Sequence, residues 1–148
     1  MEQSLSTKLD NLAVGGRFVT AGRTISAADV AQFAELTGDH HPQHTDVEWA
    51  AGSLFGERVA HGLLVLSCAA GLVPFDPERV IALRSLRDVV FKRPVRLGES
   101  ISVAGKVAAA KPLDDGIDLV TVGLRVLRED GKPAVRATLE VVWRSEPR

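Results

Sequence analysis

All four histidines of this chain of 148 residues, His40, His41, His44 and His61, fall within one short stretch, and Asp39 opens it. The run reads Gly38-Asp39-His40-His41-Pro42-Gln43-His44, followed after an interval by Ala60-His61-Gly62. Imidazole titrates near neutral pH, so a chain that places every histidine here has gathered its proton-transfer groups. Asp39 and His44 lie on a segment bent by Pro42, which lets a carboxylate and an imidazole face one point. General acid–base catalysis needs such a pair, one group to take a proton and another to give one. The same residues also suit a solvated turn after a helix-ending glycine. Spacing alone leaves both readings open.

A metal site is the competing reading, because three histidines and two carboxylates, Asp39 and Asp46, lie close in sequence. His40 and His44 have the i, i+4 spacing of a helical zinc pair. Pro42 stands between them, however, and interrupts the helix that would align them. No cysteine is near, so the expectation is no metal. His61-Gly62 opens an apolar segment, and a helix N-terminus there would present unpaired N–H groups able to polarise a carbonyl oxygen. A simple turn into the helix explains the same two residues. Ser67 reads as a core hydroxyl bonded back to its own helix, and Trp49 and Trp143 as core or interface. Lys92, Arg93 and Arg96 read as a solvated strand end, although they could meet phosphates.

The elements that must position these groups follow from periodicity and capping. Residues 17–25 read as a first strand. Ser26 and Asp29 form a capping box, Val30, Phe33, Ala34 and Thr37 share a face, and Gly38 closes that helix. Residues 39–44 are then expected to be a loop, with Thr45 and Glu48 capping a short helix to about Gly52. Residues 63–73 are apolar on every side, which predicts a helix buried all round, ended by Pro74 and Pro77. After Pro77 the period becomes two. Strands are expected over residues 86–92, 101–109, 120–126 and 135–143, with hairpin turns at Asp114-Asp115-Gly116 and Glu129-Asp130-Gly131-Lys132. One apolar helix and one antiparallel sheet imply an α+β fold, the sheet wrapped around the helix.

Composition narrows the function classes. With 45% hydrophobic and 25% charged residues the chain is globular rather than disordered. A net charge of -1 gives no electrostatic reason to expect nucleic acid or an anionic membrane. The polar first twelve residues lack a signal-peptide core, and the longest apolar run is too short to span a bilayer. Cys68, the single cysteine, cannot form an internal disulfide and reads as a buried, inert thiol. A cytoplasmic location is expected.

At these residues the chain resembles the MaoC-like hydratases and dehydratases, the (R)-specific enoyl-CoA hydratase branch of the hot-dog fold. Their pattern, Gly-Asp-x-Asn-Pro-x-His with a following acid and then Ala-His-Gly, is matched by Gly38, Asp39, Pro42, His44, Asp46, Ala60, His61 and Gly62. Residues 91–98 are similar to the family's Phe-x-x-Pro-Val-x-x-Gly strand end. The resemblance covers roughly residues 15–145 and implies a single hot-dog domain over 1–148. It implies that Asp39 and His44 hold a water against C3 of a trans-2-enoyl thioester, with the carbonyl on the Gly62 amide and His61 and His41 lining the site. The product would be the (R)-3-hydroxyacyl thioester, made at a dimer interface without metal or redox cofactor. Coenzyme A or acyl carrier protein would be the substrate's handle. A thioesterase or a subunit of a heteromeric dehydratase are the alternatives. Two departures stand out: His41 replaces the family's Asn, and Ala70 replaces a serine common on the following helix.

Overall fold

The computed structural model describes residues 14–146, so the expectation for the first twelve residues lies outside them. The elements run β1 (Arg17–Val19), β2 (Arg23–Thr24), α1 (Ala27–Thr37), α2 (Pro42–Thr45), α3 (Val47–Ala51), α4 (Gly62–Leu72), β3 (Val80–Phe91), β4 (Ser100–Asp114), β5 (Ile117–Leu127) and β6 (Pro133–Arg144). The strands form one sheet in the order β1, β4, β5, β6, β3, antiparallel throughout, with β2 also paired to β4.

The core follows from strand alternation. Val103 and Val107 on β4, Val122, Leu124 and Val126 on β5, and Val135, Ala137 and Leu139 on β6 all point to one face and are buried. Leu64, Val65, Leu66 and Ala69 of α4 pack into the same cluster. This is the expected α+β hot-dog arrangement of a sheet around a central helix. No helix among the described residues is long and apolar enough to cross a membrane.

Helix α1 begins as its sequence demands. Ser26 Oγ accepts from the Asp29 N–H at 3.0 Å and Asp29 Oδ2 accepts from the Ser26 N–H at 2.9 Å. That main-chain bond, joined by the Ser26 hydroxyl and Arg23, outweighs desolvation and holds the Asp29 pKa below its ordinary value. Gly38 ends α1 in the left-handed region at φ 79°, which costs a glycine little.

Several expectations need correction. Residues 17–25 form two short strands rather than one, because Thr20 interrupts the ladder: its hydroxyl oxygen takes the Val103 N–H at 2.9 Å in place of a main-chain carbonyl. Residues 42–45 form a single helical turn, not loop, since proline is tolerated at the first helical position. The cap of α3 is Asp46, whose Oδ1 accepts from Trp49 N at 3.0 Å. Thr45 instead turns its hydroxyl back to the His40 and His41 carbonyls. Helix α4 is not buried all round, because Leu63, Ser67, Ala70 and Gly71 form an open stripe along it. Ser67 does bond back to Leu63 O, at 2.7 Å, but from that exposed side. Strand β3 starts at Val80, earlier than its pattern suggests. It is an edge strand, bulged and with Asp88 at φ 54°, so neither face enforces alternation. Of the two tryptophans, Trp143 is core and Trp49 is half exposed.

Candidate active site

The Gly38 turn sends the chain directly into the histidine run. Thr37 Oγ1 donates to Phe33 O at 2.6 Å and accepts the Asp39 N–H at 3.2 Å, so the hydroxyl at the helix end anchors the next residue. Asp39 Oδ1 in turn accepts the His41 N–H at 3.3 Å. His41 is the N-cap of α2, its Nδ1 accepting from the Gln43 N–H at 3.1 Å, and its ring meets Trp49 edge to face at 5.2 Å. His40 leaves the group altogether and faces Glu35 at 3.5 Å.

The turn of α2 carries His44 inward. Its Nδ1 lies 2.6 Å from the Val59 carbonyl oxygen. A carbonyl can only accept, so Nδ1 carries the hydrogen and Nε2 of the neutral ring keeps its lone pair. Burial pushes the His44 pKa below the ordinary 6.5, outweighing the Val59 carbonyl, which favours the charged form; His61 and His41 reinforce the lowering and Asp39 opposes it. The lowering favours the neutral ring, whose Nε2 lone pair can accept a proton.

His61 is buried, at 3% exposure. Its Nε2 donates to the Asp39 main-chain oxygen at 2.9 Å, tying the start of α4 to the carboxylate-bearing turn. Its ring stacks on His44 at 3.8 Å with 27° between planes, and Phe33 packs against it at 4.9 Å. Asp39, His44 and His61 each bring a ligand-type atom within 4.8 Å of the others. That proximity alone would suit a metal. Face-to-face stacking opposes it, because in-plane lone pairs on two nearly parallel rings run side by side rather than converging. The donor set fits proton transfer better.

Gly62 is the first residue of α4, and no side chain caps the helix there, so its amide is one of the unpaired N-terminal donors. It borders an open cleft of about 240 Å³, with Phe55, Val59, Val65, Phe91 and Val95 among its walls. A Cβ at position 62 would lie 2.7 Å from the Phe91 ring, so glycine is what allows that ring to close over the helix end. Lys92 and Arg93 stand on the same cleft, while Arg96 pairs with Glu57 at 3.1 Å. Cys68 is only partly buried and receives a hydrogen bond from Arg23 at 2.8 Å; desolvation still raises its thiol pKa.

The structure thus brings Asp39, His44 and His61 together, with Gly62 following His61 at the start of α4 and His41 as the support of the turn. Sequence reasoning placed Phe33 and Thr37 on a helix face and Phe91 at a strand end without giving them a part in the site, and it missed Val59. Thr37 was visible as a hydroxyl beside a helix-ending glycine. Val59 was not, because it acts through a main-chain carbonyl that any residue would supply.

Similarity to known proteins agrees with this geometry. Residues 11–129 match the family model described as MaoC like domain. The chain is 41% identical over 95 residues to protein MaoC of Klebsiella aerogenes, which covers 64% of this chain and 28% of that much longer protein. It is 28% identical over 120 residues to the (R)-specific enoyl-CoA hydratase of Aeromonas caviae, covering 81% of this chain and 87% of the relative. The crystal structure of the MaoC-like dehydratase from Rhodospirillum rubrum superposes with a TM-score of 0.82 at 28% identity, over 97% of this chain and 100% of that one. With most of its length matched, and the paired Asp and His motifs on the fold described above, the chain belongs to the family of MaoC-like domains.

Proposed function

We propose that the protein catalyses reversible hydration of a trans-2-enoyl thioester to the (R)-3-hydroxyacyl thioester. The observation that carries this reading is the His44 Nδ1 to Val59 O bond of 2.6 Å, which leaves Nε2 free as a base beside the Asp39 carboxylate. In this mechanism Asp39 and His44 hold a water against C3. One takes its proton as the C3–O bond forms, and the pair delivers a proton to C2. The thioester oxygen, which gathers negative charge as C2 becomes enolate-like, sits on the Gly62 amide at the positive end of α4. The reverse steps expel water. The acyl carrier, coenzyme A or acyl carrier protein, is part of the substrate, and no metal or redox cofactor enters the scheme. The (R) outcome rests on the likeness to the Aeromonas caviae hydratase.

The test is to offer crotonyl-CoA and butyryl-CoA in parallel to the purified chain. Loss of the enoyl absorbance with crotonyl-CoA alone supports the reading. Thiol release from butyryl-CoA would make it a thioesterase, and inactivity restored by a second, different hot-dog chain would make it a subunit.

The working unit is proposed to be a homodimer. Strand β3 is an edge strand that exposes Leu83 at 54% and Phe91 at 49%, and Leu63 on the open stripe of α4 is 62% exposed. A second copy pairing along β3 would cover these groups and wall the cleft that Phe91 lines. Light scattering at micromolar concentration should give a dimer mass or a multiple of it; a monomer would refute the assembly.

Two further outcomes follow. His41→Asn should keep activity within about tenfold, since Asn is itself a strong N-cap and a tenfold change is only about 1.4 kcal/mol of barrier. Steady-state kinetics of the variant check this, and complete loss would place His41 among the proton-transfer groups. Because burial lowers the His44 pKa, the acid limb of kcat should fall below pH 6.5. Activity that is already halved at pH 7 would contradict a neutral His44.

A further inference from the structure

We propose that the outer face of the sheet, opposite α4, docks an acidic segment of a partner protein. A groove of about 550 Å³ runs over this face, and Arg17, Lys106, Arg125 and Arg136 are among its walls. Strand alternation places them there. Leu124 and Ala137 point into the core, so their neighbours Gly123, Arg125, Arg136 and Thr138 point outward.

The charges are set directly against each other. Arg17 is the cross-strand partner of Lys106, and Arg125 is the cross-strand partner of Arg136. Like charges in such pairs repel and weaken a sheet. None of the four makes an ion pair among the described residues. Glu140, farther along the same face of β6, is already held by Arg87 at 3.3 Å and Ser85 at 3.0 Å. Among the described residues the groove is lined by no carboxylate. This cluster stands out in a chain whose net charge is only -1, and an anionic partner would relieve its repulsion.

Gly123 supplies an independent argument. It lies inside central strand β5, has no left-handed φ, and an added Cβ would meet only Lys106 O at 3.9 Å, an ordinary contact. Packing does not demand glycine here, and glycine weakens a strand interior unless another group approaches the backbone closely. Its missing side chain deepens the groove between the cationic pairs. Among the described residues the single aromatic one lining the groove, Phe18, is buried beneath the face, so none of them offers a ring for base stacking. That favours an acidic polypeptide over a nucleic acid.

The test is fluorescence anisotropy of a labelled oligoglutamate peptide with the full chain at low salt. Arg125→Gln/Arg136→Gln should weaken binding about tenfold, two exposed ion pairs near the upper end of their usual strength. Gly123→Val should also weaken it with every charge retained, whereas Lys111→Gln/Lys132→Gln, which removes two cations outside the groove, should not. The arginine double variant should melt no lower than the parent, since repulsion has been removed, and this shows that it is folded. No binding by the parent chain, an equal loss in the lysine control, or tighter binding of oligothymidylate of matched charge would each overturn the proposal.

Discussion

Asp39→Asn is expected to lower the rate of the proposed enoyl-thioester hydration by about 10²–10⁴, the usual cost of losing a positioned acid or base. The substitution is informative because it keeps the shape of the turn. An Asn side-chain oxygen can still accept the His41 N–H that Asp39 Oδ1 takes at 3.3 Å, and the main-chain oxygen that receives His61 Nε2 at 2.9 Å is untouched. What is lost is the carboxylate's charge and basicity. His44→Ala should cost a similar factor by deleting the free Nε2. Both groups act on one water, so the double variant should be scarcely slower than either single variant. Stopped kinetics with crotonyl-CoA measure the rates, while circular dichroism confirms that each variant is folded. Near parental turnover by a folded Asp39→Asn protein would refute the mechanism.

Gly62→Pro is expected to lose about 10²–10³ in kcat, the typical effect of removing one donor to a developing oxyanion. Proline is normally destructive in a helix, but the first helical position has no intrahelical use for its N–H. The preceding residue is already suited to it, since His61 has φ -59° and ψ 132°, the extended region that proline imposes on its neighbour. The remaining complication is steric, because any Cβ at 62 lies 2.7 Å from the Phe91 ring. Gly62→Ala carries that same Cβ and keeps the N–H, so the ratio of the two variants isolates the amide. Equal kcat values for the alanine and proline variants would show that the Gly62 N–H does not hold the thioester oxygen.

Much of this arrangement was readable from residue order, and the reasons differ by element. Helix α1 could be bounded at both ends because its signals are local: Ser26 with Asp29 at the start, Gly38 at the end. The three inner strands were found because each has one face in the core, which forces alternation. Strand β3 begins six residues before the expected 86, at Val80, because exposure on both faces within one chain removes that periodic signal. The exposed stripe of α4 was hidden for a related reason. Leu63, Ala70 and Gly71 are apolar or small although they are open in the single chain, so composition could not distinguish a buried face from one awaiting cover. Within the site, residue types identified Asp39 and His44 as a possible pair. The tautomer of His44 was beyond reach, because a main-chain carbonyl fifteen positions away in sequence decides it.

The bonds that shape the proposed acid–base centre all lie within the stretch between Phe33 and Gly62: Thr37 to Phe33, His44 to Val59, His61 to Asp39. Strands β4 to β6 contribute no proton-transfer group to it. Phe91 of β3 and Val135 of β6 instead line the cleft beside Gly62, together with Phe55, Val59 and Val65. The proton-transfer groups are thus encoded in one short segment of the gene, while the walls of the cleft are drawn from both that segment and the strands. Under the proposed function, mutations in the strand region would reshape the cleft while leaving the proton-transfer groups in place, so that a lineage of such proteins could diversify its substrates without passing through an inactive ancestor.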